Sequence, residues 1–195
     1  MCVMRYLFLF QALFSYSIFA ANYQLPVKGV VEFLAIGNPT AVQIKGTTEE
    51  KPEALSGTLD VKQLAVSGTV KLEMDAIDTG ISLRNKHMKE KYLETGKFPQ
   101  STLVLKKLTL PQAFVDGNFD SKGESFAGEL TLHGVTRPLT GLVDIRREGS
   151  KMDFLFSFAL KVKDFQIASP SFMSITMADE VQVKAKITPT LKPQG

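Results

Sequence analysis

The sequence predicts an all-β protein, because apolar and polar residues alternate along much of the chain. Alternation with a period of two is typical of strands that bury one face and expose the other. It is clearest over 66–76, 152–162 and 181–187, and further strands are predicted at about 28–36, 41–46, 56–64, 101–110, 124–133 and 138–147. Many short antiparallel strands in one chain indicate a sandwich or a closed barrel, and the pattern does not choose between them.

The segment between 76 and 101 interrupts this alternation and predicts a short helix. Ser82 is a candidate N-cap for a helix from about Leu83 to Glu94. Gly96 is placed where a left-handed residue ends a helix, and Pro99 prevents its continuation. We therefore expect one helix covering an end of the β-structure.

The first twenty residues have the anatomy of a secretory signal peptide. Arg5 precedes an apolar run over 6–19, and the small residues Ala20 and Ala21 follow it. A retained membrane anchor is the alternative, but the run is shorter than the ~20 residues of a spanning helix. We expect removal of residues 1–20, and a single domain over 21–195 in the periplasm or outside the cell.

Composition excludes several classes of function. The formal charge of +3 is too small to indicate binding to nucleic acid, and no apolar run after the signal predicts a transmembrane segment. The sole cysteine, Cys2, lies in the predicted signal peptide, so the mature fold depends on its core. His87 and His133 are far apart and form no zinc-binding pattern. We expect no metal, no cofactor and no catalysis.

Two segments of the chain carry a family resemblance. They are Asp78 to Met88, followed by Phe98-Pro99, and Leu132 to Pro138. Both resemble signature segments of the YceI-like family, and the resemblance runs from about Val30 to Ile187.

The family pattern has a Thr, an Arg-Asp-x-His-Leu run and a Tyr-Pro. This sequence offers Thr79, Arg84-Asn85-Lys86-His87-Met88 and Phe98-Pro99. Asn85 in place of the acid and Met88 in place of Leu depart from that pattern, and they suggest a divergent branch.

The resemblance implies a fold and a function. The implied fold is an antiparallel, eight-stranded, lipocalin-like barrel with the short helix near one mouth. Some members of the family hold a polyisoprenoid chain inside the barrel, so the expected ligand is an isoprenoid, a quinone or a polyprenyl phosphate. The segment from His133 to Pro138 is expected to be architectural, with Gly134 at a sharp bend.

An apolar face on 152–162 forms the centre of the predicted ligand site. The predicted lumen contacts are Phe33, Leu72, Leu130, Phe154, Phe156, Phe158 and Val183. An eight-stranded barrel can either fill itself with side chains or hold one slender ligand, so an ordinary packed core is the alternative.

Three side chains on the predicted helix could contact a polar head group at the mouth. Arg84, His87 and Lys91 are spaced to share a face. The alternatives are that Arg84 pairs with Asp78, His87 satisfies a backbone carbonyl and Lys91 is solvated.

Two other functions remain open at this point. A filled barrel would favour a stress-related envelope protein that acts through protein contacts. An enzyme acting on an isoprenoid, with His87 as acid or base, is the third possibility. The sequence is compatible with a monomer or a homodimer.

Overall fold

Antiparallel strands account for most of the chain in the computed structural model, which describes residues 22–38, 42–111, 118–172 and 175–190. The predicted signal peptide lies outside these ranges. The strands are β1 (Asn22–Asn38), β2 (Gln43–Thr47), β3 (Leu55–Lys62), β4 (Ala65–Glu73), β5 (Gln100–Thr109), β6 (Phe119–Leu132), β7 (Val135–Glu148), β8 (Lys151–Lys161), β9 (Ser171–Phe172) and β10 (Ile175–Pro189).

Eight of these strands close into an antiparallel barrel, as the family resemblance implies. The order around the barrel is β1, β3, β4, β5, β6, β7, β8 and β10, and β10 pairs with β1 to complete the circle. The short strands β2 and β9 pair with β1 and β10 and extend one rim. Closure removes free edges along the barrel wall.

The long strand β1 is shared by two neighbours on one side. Its first half, 22–29, pairs with β3, and 32–36 pairs with β2. Thr48 fills the break between them, because its amide donates to the carbonyl of Val31 at 3.0 Å and its Oγ1 accepts from the Val31 amide at 3.0 Å. A buried threonine side chain thus replaces a missing backbone pair.

One half of the barrel interior is a packed core. Its side chains are at most 2 % exposed, and they come from the ends of the strands farthest from the helix. They are Leu25, Leu59, Val61, Val66, Leu105, Leu108, Val143, Ile145, Met152 and Phe154. The alternation predicted from the sequence is therefore confirmed, since residues that share a strand occupy alternate positions, except on β5, where a register shift between Leu105 and Lys107 separates Leu105 from Leu108 by three positions.

The connection between β6 and β7 is a two-residue turn. His133 and Gly134 have φ of 51° and 74°, the signature of a type I′ hairpin turn. The predicted bend at Gly134 is confirmed, but the predicted strand start near Pro138 is wrong. β7 begins at Val135, because the type I′ turn lets pairing resume at once.

The helical segment differs from its prediction in three respects. The α-helix α1 spans only Ser82–His87, and a wider π turn continues over Met88–Tyr92, where the Leu93 amide donates to the Met88 carbonyl. The N-cap is Ile81 rather than Ser82, with no side-chain cap bond. The left-handed residue is Glu94, with φ of 45°, and not Gly96.

Glycines allow neighbouring strands to approach closely where the barrel wall bends. A Cβ at Gly57 on β3 would overlap the backbone carbonyl oxygen of Thr69 on β4, and one at Gly29 on β1 would overlap the carbonyl oxygen of Lys186 on β10. Backbone atoms in a paired strand cannot move aside cheaply, so both positions exclude a larger residue.

We expect Gly57→Ala to lower the free energy of unfolding by about 1–3 kcal/mol, because the added methyl group overpacks the wall. Urea denaturation followed by circular dichroism measures this change. The matched control is Gly96→Ala, since a Cβ at Gly96 would meet no atom within 4 Å. Equal midpoints for the two variants would contradict the account of the wall.

Candidate functional site

The other half of the barrel encloses a cavity of about 730 Å³. Small-molecule sites in proteins commonly have volumes of ~300–1,000 Å³. The lining is mostly apolar, and seven of the eight barrel strands, all but β7, contribute to it together with β2 and the segment 77–93. Lining positions on the barrel strands include Val31, Phe33, Leu55, Val70, Leu72, Leu103, Leu130, Phe158, Leu160, Val181 and Val183.

Six of the seven predicted lumen residues line this cavity. Phe33, Leu72, Leu130, Phe156, Phe158 and Val183 do so, and their role in binding a ligand stays a prediction. Phe154 lies outside the lining, because it belongs to the packed half of the barrel and is fully buried there. The barrel is thus filled at one end and hollow at the other.

Aromatic rings form the floor between the two halves. Phe126 meets Phe156 edge to face with a centroid separation of 5.0 Å, and Phe156 stacks on Phe154 at 6.2 Å. Gly141 makes room for this arrangement, since a Cβ there would lie 2.7 Å from a ring carbon of Phe126. Phe156 therefore joins the packed core to the cavity.

Residues 77–94, which we call the capping segment, cover the opposite end of the cavity. Its apolar lining residues include Ile77, Ile81, Met88 and Tyr92. None of these four residues was among the ligand contacts predicted from the sequence. The helical spacing of Ile81, Met88 and Tyr92 is a sequence signal that could have indicated a shared apolar face. Ile77 carries no such signal, because it follows neither a strand period nor a helix period.

A hydrogen-bonded cluster fixes the start of the capping segment. The Asn85 Oδ1 accepts from the Thr79 amide at 2.8 Å and from Thr79 Oγ1 at 2.6 Å. The Asn85 Nδ2 donates to Asp78 Oδ1 at 2.7 Å. The Asn85 side chain thus accepts hydrogen bonds from Thr79 and donates one to Asp78, which requires a group that is both donor and acceptor.

Asn85, the departure from the family pattern, therefore suits this neighbourhood. An aspartate at position 85 could accept the Thr79 bonds but could not donate to Asp78. Two carboxylates at hydrogen-bonding distance would also repel each other.

The same contacts shift the titration of Asp78. The hydrogen bond from Asn85 lowers the pKa of the Asp78 carboxyl below its usual range, and the Gly80 amide and the Lys89 charge lower it further. The Gly80 amide donates to Asp78 Oδ1 at 2.6 Å. A depressed pKa in the folded state means that this carboxylate contributes stability at neutral pH, and the contribution is lost as the pH falls through the folded pKa.

Arg84 points from α1 toward the cavity but is held by Thr79. Its Nε donates to Thr79 Oγ1 at 2.9 Å, and its Nη2 donates to the Thr79 carbonyl oxygen. The alternative pairing with Asp78 is wrong, because Asp78 bonds Asn85 and Gly80 instead. Arg84 thus lines the cavity with its guanidinium oriented by Thr79.

His87 and Lys91 also line the cavity, at its exposed rim. Lys91 Nζ lies 5.5 Å from the centroid of the Tyr92 ring. Within the part of the chain that the structure describes, Arg84, His87 and Lys91 form no ion pair with a carboxylate. The mouth therefore presents cationic groups beside an apolar interior.

His133 fixes the other end of the capping segment. Its Nε2 lies 2.8 Å from Glu94 Oε2, its Nδ1 lies 3.1 Å from the Phe165 carbonyl oxygen, and its ring contacts Phe98 at a centroid distance of 4.3 Å. The first of these contacts falls on Glu94, the residue with the left-handed conformation. The architectural role expected for His133 agrees with its position, since it lies outside the cavity lining.

A closed antiparallel barrel with a capped apolar cavity defines the lipocalin-like class of architectures. Comparison with family models identifies the particular family. The YceI-like domain model matches residues 27–188, and the chain belongs to the YceI-like family.

Curated relatives carry the name UPF0312 protein. One from Yersinia enterocolitica is 31 % identical over 102 residues, which cover 49 % of this chain and 48 % of that protein. One from Yersinia pestis is 34 % identical over 123 residues, covering 56 % and 59 %. The matches thus span about half the length of these relatives.

Solved structures share the fold at low sequence identity. BcnA of Burkholderia cenocepacia superposes with a TM-score of 0.63 at 19 % identity, covering 81 % of this chain and 95 % of that one. A polyisoprenoid binding domain from Saccharophagus degradans gives 0.61 at 15 % identity, covering 86 % and 98 %. Across the described ranges, no helix is long and apolar enough to cross a membrane.

We expect Asn85→Ala to raise the pKa of Asp78, because the substitution removes the hydrogen bond that lowers it most. An NMR titration of the Asp78 carboxyl carbon measures the shift. Lys89→Gln is the control, and it should raise the pKa less, because the Lys89 charge is a smaller cause. A larger shift in the Lys89 variant would contradict the assignment.

Proposed function

We propose that this protein binds a long-chain amphiphile, such as an isoprenoid, a quinone or a polyprenyl phosphate, in the barrel cavity and acts as a carrier, not as an enzyme. The observation that carries the proposal is the largely apolar lining of the 730 Å³ cavity. The similarity to a structure described as a polyisoprenoid binding domain supports it.

The energetics of burial favour such a ligand. Each methylene group removed from water contributes roughly 0.8 kcal/mol, so ten carbons contribute on the order of 8 kcal/mol. The loss of translational and conformational freedom opposes binding and reduces that figure. A chain of this kind has little solubility in water, and the barrel would keep it dissolved.

The cationic mouth supports an amphiphile with a polar or anionic head group. Nε and Nη2 of Arg84 are engaged by Thr79, which orients the guanidinium and leaves its Nη1 protons for another acceptor. Hydrogen bonds from a charged donor to phosphate are stronger than those between neutral groups. Lys91 lies on the same rim and would add to the positive potential, and His87 beside it offers a further hydrogen-bonding group.

We also propose that the protein works in the periplasm or outside the cell. The support is the charged tip at Arg5, the apolar run over 6–19 and the small residues Ala20 and Ala21. N-terminal sequencing of the protein from its native host tests this, with a mature start near Ala21 expected.

Phe158→Trp provides a direct test of the cavity, because the chain contains no tryptophan. Phe158 lines the cavity and the substitution keeps an aromatic ring there. We expect a prenylated benzoquinone to quench the tryptophan emission and to saturate near one equivalent.

Ala159→Trp is the matched control for that experiment. Ala159 is the next residue on β8 and is exposed on the outer face of the barrel. Its tryptophan should show little quenching at the same quinone concentration. Equal quenching of both tryptophans, or none in either folded variant, would contradict binding in the cavity.

Arg84→Gln tests the head-group contact. We expect it to reduce the preference for a polyprenyl phosphate over the matching polyprenol by about tenfold, since a hydrogen bond to a charged group contributes roughly 1.5–3 kcal/mol. Calorimetric titration with both ligands measures the preference. Comparable losses for both ligands would mean that Arg84 acts only through its contacts with Thr79.

A further inference from the structure

Two large apolar side chains protrude at the rim of the cavity. Ile81 is 52 % exposed and Leu83 is 64 % exposed, although both also line the cavity. They are the residues immediately before and after Ser82, the first residue of α1. An apolar pair that is exposed beside a hydrophobic opening indicates a contact surface.

Lysines flank this apolar pair. Along 82–92 the charged residues are Arg84, Lys86, Lys89, Lys91 and Glu90. Lys89 is engaged, since its Nζ lies 3.5 Å from Asp75 Oδ1. Lys86 and Lys91 are exposed and form no ion pair with a carboxylate in the described ranges. We call Ile81, Leu83, Lys86 and Lys91 the lip.

We propose that the lip docks the barrel on the surface of a lipid bilayer that contains anionic lipids, so that the ligand passes between bilayer and cavity without crossing water. The inference rests on the proposed function. Ile81 and Leu83 would enter the boundary between head groups and acyl chains, while Lys86 and Lys91 would contact anionic head groups.

A bilayer fits the lip better than a protein partner does. A stable protein interface covers about 800 Å² on each partner, whereas the lip offers two apolar side chains at the end of a short helix. Insertion into a bilayer needs no complementary shape. The position of the lip at the cavity rim also places the opening against the source of the ligand.

Sedimentation with lipid vesicles tests the proposal with the mature protein. We expect binding to vesicles of phosphatidylglycerol and phosphatidylcholine, and weaker binding to phosphatidylcholine alone. The double variant Ile81→Ser, Leu83→Ser should bind the mixed vesicles at least about tenfold more weakly. Lys86→Glu should bind them about fivefold more weakly or worse.

Two substitutions outside the lip serve as matched controls. Leu142→Ser removes an apolar side chain that is 51 % exposed on β7, and Lys107→Glu reverses an exposed charge near the packed end of the barrel. Both should bind the mixed vesicles like the parent protein. Equal losses in lip and control variants, or no binding of the parent protein to mixed vesicles, would overturn the proposal.

The lip and the carrier function can fail separately. If the quinone quenches the tryptophan of Phe158→Trp but the protein does not bind vesicles, the docking role of the lip is wrong and the carrier function is supported. Vesicle binding without quenching would support the lip and contradict the cavity as a ligand site. A dimer that only the double lip variant dissociates, together with no vesicle binding, would assign the lip to a second copy of the chain.

Discussion

The hydrogen bonds between β1 and β10 join the two ends of the sheet, with Val27 to Asn38 lying against Pro189 to Thr176. In a closed barrel, strand number and stagger set the width of the interior, and the wall cannot collapse onto small side chains. Buried side chains fill one half. In the other half the apolar side chains leave room for the cavity, and the capping segment covers its opening.

The capping segment is fastened at both ends and faces the cavity between them. At its start Asp78 exchanges two backbone hydrogen bonds with Thr47 of β2, and at its end His133 contacts Glu94. Both anchors are polar and lie outside the apolar interior. The middle of the segment can therefore present Met88 and Tyr92 inward without depending on a ligand for its position.

The strands and the helix were predictable because the spacing of apolar residues and the local turn-forming residues encode them. Six of the seven lumen positions also lie on the cavity, since alternation assigns each residue to a face. Alternation does not say how far a face extends into the packed half, and Phe154 was misplaced for that reason. The depth of a residue along the barrel axis depends on the stagger between neighbouring strands, and the register of strand pairing sets that stagger.

The ends of the capping segment were not predictable from local signals. Glu94 takes the left-handed conformation that Gly96 was expected to take, and the ring of His133, distant in sequence, contacts the Glu94 carboxylate at 2.8 Å. Tertiary contacts outweighed propensity there. The split partnership of β1 with β2 and β3 likewise depends on Thr48, a residue with no strand signal of its own.

Mass spectrometry of the organic extract is the most direct test of the cavity as a carrier site. The mature protein would be purified from its native host without detergent, beside a Val183→Asp variant that places a carboxylate in the lining. We predict an isoprenoid or comparable long-chain amphiphile near one equivalent, and a clear reduction in the variant. A lipid-free extract from folded protein that also takes up no added polyprenol would contradict the account.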